Sequence, residues 1–80
     1  MDTYTTVKNR ILHLCEEKRM TINKLASESG VAPSTIINIL YGKSRNLGIV
    51  TLKILCDGLD VTLAEFFDTE DFQKPEQEIQ

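Results

Sequence analysis

Few side chains in this 80-residue chain could do bond-breaking chemistry. His13 is the single histidine, and Cys15 and Cys56 stand far apart with no Cys-x-x-Cys pair. That spacing assembles neither a zinc site nor a redox pair. Each cysteine falls inside an apolar helical pattern, which assigns both as free, buried thiols acting as small hydrophobes, with a disulfide as the minor alternative. His13 has no second ligand near it and reads as a surface residue of the first helix. The carboxylates are scattered and no nucleophile stands beside a base, so no active site can be built: not an enzyme, no cofactor, no metal. The groups that do cluster are donors and acceptors. Ser34, Thr35, Asn38 and Tyr41 follow one another closely, and Lys43, Ser44, Arg45 and Asn46 come directly after. This short stretch runs into basic, polar residues, which leaves open whether it is an ordinary helical corner or a surface built to lie against something outside the protein.

Charge bears on that question. The net charge is −3, but it is unevenly laid out. Residues 1–56 hold eight Lys/Arg against four acids, a balance of +4, and residues 57–80 hold one Lys against eight acids, a balance of −7. Such asymmetry is a hint of one side that faces a polyanion and an acidic end kept away from it, the alternative being a solvated surface with uneven charge. An apolar content of 41% with 26% charged residues is that of a globular chain. No apolar run is long enough to cross a bilayer and no signal-peptide pattern opens the chain, so a cytoplasmic location is the default.

These residues need elements to position them. Tyr4, Val7, Ile11, Leu14 and Cys15 recur at helical spacing, which predicts an amphipathic helix over 4–19. Thr21 is a suitable N-cap for a second helix carrying Ile22, Leu25 and Ala26 on one face. Gly30 ends it, because the residue past a helix end often turns left-handed. A third helix begins at Pro33, whose missing N–H would be unpaired in a first turn anyway, and stops at Gly42. Ile36, Ile39 and Leu40 form its inward face. Val50 to Gly58 makes a fourth helix, and Thr62 caps a short fifth with Leu63, Phe66 and Phe67. No segment alternates with period two, so the expected fold is all-α, a compact bundle of five helices. Residues 1–68 are the expected domain. Residues 69–80, "TEDFQKPEQEIQ", are expected to be an acidic, flexible tail.

Ile22 to Tyr41 then reads as one unit. The small Ala26, four residues before Gly30, lets two helices approach. Leu25, Val31, Ile36 and Ile39 hold them at a steep angle across a short turn. The stretch "INKLASESGVAPSTIINILYGKS", followed by "TLKILCDGLDVTLAEFF", resembles the lambda-repressor-like, Cro-type (XRE family) helix-turn-helix proteins, from about Val7 to Phe67. The resemblance implies a DNA-binding domain whose third helix, about 33–41, enters the major groove of double-stranded DNA.

Carried over by position, the outward residues Pro33, Ser34, Ile37, Asn38 and Tyr41, with Ala32 before them, would meet bases. Asn38 suits adenine, Ser34 a base or a phosphate, and Ile37 a thymine methyl. Phosphates would be met by Thr35, by the N–H groups near Ile22 at the start of the second helix, and by the loop of Lys43, Ser44, Arg45 and Asn46. Three places depart from the family pattern: Ile22 where a glutamine is frequent, Ala32 and Pro33 where Ser/Thr and a polar reader are common, and Leu47 and Gly48 in place of Pro-Ser. The implied activity is transcription regulation, with repression by occupying DNA. A homodimer on a palindromic site would use a patch of Ile54, Leu59, Val61 and Leu63. The alternative is a protein-interaction module of the same fold, an antitoxin or a regulator's partner.

Overall fold

The computed structural model describes residues 2–42 and 47–73. Six helices follow one another: α1 (Thr3–Glu17), α2 (Ile22–Ser29), α3 (Pro33–Tyr41), α4 (Ile49–Gly58), α5 (Leu63–Phe67) and α6 (Glu70–Gln73). No strand occurs among the described residues. The first five agree with the sequence patterning to within two residues at each end. The sixth corrects the expected count of five. It lies in the stretch expected to be a flexible tail, and the ring of Phe72 explains it: Phe66, Phe67 and Phe72 form a cluster with centroids 4.9 to 5.9 Å apart. That packing gives a four-residue helix, which has almost no intrinsic stability, a reason to form.

The helix ends show how the chain fixes its corners. Three N-termini are closed by side chains. Asp2 accepts from Thr5 N–H, Thr21 from Lys24 N–H, and Thr62 from Glu65 N–H. At α5 the bond is reciprocated, since Glu65 Oε1 accepts from Thr62 N–H at 2.8 Å. This hydrogen bond holds the Glu65 carboxyl below its ordinary range. Three C-termini end in a left-handed residue: Arg19 (φ 53°), Gly30 (φ 73°) and Asp60 (φ 60°). In each case the next N–H bonds back five residues, Met20 to Cys15, Val31 to Ala26 and Val61 to Cys56. The apolar side chain after each left-handed residue is thereby laid on the core.

The core is made of Val7, Ile11, Leu14, Leu25, Ala26, Ile36, Leu40, Leu52, Leu55, Leu59 and Phe66 with both cysteines. Cys15 and Cys56 are free and buried. Burial pushes both thiols above the ordinary value of 9.0, so they stay protonated and unreactive. Where α2 crosses α4, the buried Gly58 leaves no room for a side chain, because a Cβ there would strike Ser29 Oγ. The Ser29 hydroxyl is itself buried without a partner among the described residues. Arg10 ties α1 to the end of α5, its Nε donating to Phe66 O at 2.8 Å and Nη2 to Glu65 O at 2.9 Å. No helix is long and apolar enough to cross a membrane among the described residues.

Candidate nucleic-acid interface

The interface is built on α3 and the turn before it. Gly30 takes the left-handed conformation with nothing within 4 Å of where its Cβ would be, so backbone geometry alone selects glycine there. Pro33 then opens α3 behind Ala32, which gives no side-chain cap. Ile36 and Leu40 anchor the helix, being 0% and 1% exposed. Ile39, read from sequence as a third inward residue, is only half-buried. At the far end the Tyr4 hydroxyl donates to Ile39 O at 2.6 Å, with Leu40 O 3.3 Å away, so α1 holds the last turn of α3. Gly42 closes the helix, and a Cβ at Gly42 would collide with the Asn38 backbone.

With the helix pinned this way, its opposite side faces outward. Pro33, Ser34, Ile37, Asn38 and Tyr41 are all exposed, as are Ala32 and Thr35. Ile37 is 47% and Tyr41 60% exposed. Ser34, Ile37, Asn38 and Tyr41 stand at i, i+3, i+4 and i+7, which aligns them along one stripe of a helix. No residue of α3 carries a charge. The stripe therefore offers one hydroxyl, one carboxamide, one phenol and an apolar branch. Thr35 and Asn38 also line a groove of about 240 Å³ that runs to Gly48 and Thr51 at the start of α4. Asn38 thus sits where the stripe meets this groove.

The remaining sequence-assigned residues divide. The side chain of Ile22 packs against the core, so only its backbone N–H at the start of α2 can meet an anion. Lys43, Ser44, Arg45 and Asn46 lie outside the described residues. In the expected self-association patch, Ile54, Val61 and Leu63 are half-buried. Leu59 is 0% exposed and is removed from that patch. It keeps a right-handed helical conformation at the end of α4 and so continues the buried row of Leu52, Leu55 and Cys56. Sequence reading also missed the exposed pair Ile49 and Val50, 60% and 71% exposed at the start of α4. Their exposure depends on how α4 is rotated against α2, which local periodicity does not specify.

The chain matches the family model of the Cro/C1-type HTH DNA-binding domain over residues 10–71. It belongs to that family, a class of DNA-binding proteins and not of enzymes. Among solved structures, the crystal structure of the prophage Lp1 protein 11 superimposes with a TM-score of 0.80. That match covers 92% of this chain and 97% of the other at 24% identity, a likeness of fold. No curated protein sequence matches the chain.

Proposed function

We propose that the chain binds double-stranded DNA sequence-specifically, with α3 in the major groove, and regulates transcription by occupying its site as a repressor. The observation that supports this most is the uncharged, half-apolar stripe of Ser34, Ile37, Asn38 and Tyr41, exposed on a helix anchored at both ends. Asn38 is the base reader, through a bidentate contact to adenine worth about 1–3 kcal/mol of discrimination. Ser34 contacts a base or a phosphate, Ile37 packs on a thymine methyl, and Pro33 and Tyr41 flank them. Thr35, the N–H of Ile22 and the residues Lys43, Ser44, Arg45 and Asn46 bind phosphates. One small domain makes few contacts, so a homodimer reads two half-sites about one helical turn apart on a palindromic site. Ile54, Val61 and Leu63 supply that contact, joined by Val50, which stands one turn before Ile54. The acidic end after residue 68 stays clear of the DNA, and the site of action is the cytoplasm.

Selection of bound duplexes from a random pool, followed by anisotropy titrations at two salt concentrations, tests this reading. Asn38→Ala should flatten the preference among sequences and leave the slope of log affinity against log salt nearly intact. Arg45→Ala should weaken binding to every sequence and lower the slope. Absence of salt-dependent binding to any duplex would replace this reading with that of a protein-interaction module. The exposed Ile37, Ile49 and Val50 would then be its docking surface.

A further inference from the structure

Lys8 lies on α1, outside the helix-turn-helix unit, yet the fold carries its ammonium to the edge of the α3 stripe. Its Nζ stands 5.0 Å from the centroid of the Tyr41 ring. One turn earlier on α1, Tyr4 is bonded to the carbonyl of Ile39. The pair Tyr4 and Lys8 therefore grips the last turn of α3 from one side. The other cations whose contacts are resolved are engaged differently. Lys24 pairs with Glu28 and Lys53 with Asp57, each four residues on. Arg10 donates to the carbonyls of Glu65 and Phe66.

That difference matters to a polyanion. An ion pair is neutral as a unit, so it attracts a phosphate weakly. A ring face holds an ammonium through its quadrupole and leaves the full positive charge in place. The position is also where charge is needed, because the C-terminal end of α3 carries the negative end of the helix dipole. A phosphate approaching Tyr41, 60% exposed at that end, would be repelled without a cation beside it.

We infer that Lys8 is a phosphate-binding residue of the DNA interface, held at the C-terminal end of α3 by the ring of Tyr41. The inference rests on the DNA-binding reading of α3. Because the ammonium is already held, its side chain loses less freedom on binding than an unheld lysine would. Tyr41 acts here as a positioning residue.

The test is titration of a short mixed-sequence duplex with the full chain over a salt series, for wild type, Lys8→Gln, Lys8→Arg and Tyr41→Leu. Thermal melts of each variant accompany it. Lys8→Gln should lower the salt slope by about 1, the value for one lost phosphate contact. Its deficit in affinity should shrink about threefold between about 50 mM and about 200 mM salt, as one released counterion requires. Lys8→Arg should restore both, and Tyr41→Leu should fall between. A wild-type slope in Lys8→Gln overturns the inference, whether affinity is unchanged or falls equally at every salt alongside a lower melting temperature. A wild type without salt-dependent binding would instead overturn the DNA-binding reading itself.

Discussion

Helices α2 and α3 have nearly the same length, eight and nine residues, and meet at the same turn. They treat solvent in opposite ways. α2 is capped by Thr21 at one end and by left-handed Gly30 at the other, and it shows water Asn23, Lys24, Ser27 and Glu28 with an internal ion pair. α3 has no side-chain cap, no charge and two large apolar residues facing outward. A helix optimised only to be stable in water would resemble α2. The composition of α3 makes sense when its outer face has a partner that is polar at its edges and apolar at its methyl groups, as base pairs are. On the proposed reading, support and recognition fall to separate helices of one motif.

The sharpest break of this comparison uses neighbouring isoleucines on α3. Ile36→Ala removes a fully buried side chain and should cost about 2–5 kcal/mol in chemical denaturation. Ile37→Ala, one position on, should change stability by less than about 0.5 kcal/mol and lower duplex affinity instead. If the two substitutions were equally destabilising, α3 would not have separate inner and outer faces.

Next in size is the α2–α4 crossing that sets the position of the whole motif. Gly58→Ala drives a methyl group into Ser29, so a loss of about 1–3 kcal/mol is expected from denaturant midpoints. Adding Ser29→Ala should recover part of it, because that change removes both the obstacle and an unpartnered buried hydroxyl.

Converting α3 toward α2 sharpens the contrast further. Ala32→Asp supplies the missing N-cap and should raise stability by about 0.5–1 kcal/mol in thermal melts. The same carboxylate would repel phosphate, so duplex affinity should fall while stability rises.

The smallest effect concerns a capped end outside the helix-turn-helix unit. Because the folded-state Glu65 carboxyl is held below its ordinary value of 4.5, the stability it contributes is complete above that value. This contribution is lost as pH falls through the depressed value. The difference in melting temperature between wild type and Glu65→Gln should hold constant down to about the ordinary glutamate range and shrink below it.

How much of this was legible in the sequence depends on how local each signal is. Thr21, Gly30, Pro33, Gly42 and Thr62 announce their corners because a cap or a turn is decided by one residue and its immediate neighbours. Arg19 takes the same left-handed geometry as Gly30 with no sign in its residue type, and Asp60 with only the weak sign that aspartate tolerates it. There the burial of Met20 and Val61 outweighs local preference. The sixth helix was hidden because its stretch is acidic, and Phe72 finds its place against the Phe66 and Phe67 rings and beside α1 only once the chain has folded. Leu59 looked like a surface residue once the Gly58 stop interrupted the helical period. Along α3, spacing was enough to mark Ile36 and Leu40 as inward, while the outward residues were assigned by the family resemblance. Lys8 was not, because its approach to Tyr41 joins two helices far apart in sequence.

One measurement addresses the proposed recognition face most directly: amide chemical-shift changes of the isotope-labelled chain on adding a duplex selected from a random pool. The account predicts changes concentrated at Ser34, Ile37, Asn38 and Tyr41, with weaker ones at Lys8 and the start of α2. Changes confined to α5 and α6, with α3 unmoved, would contradict it.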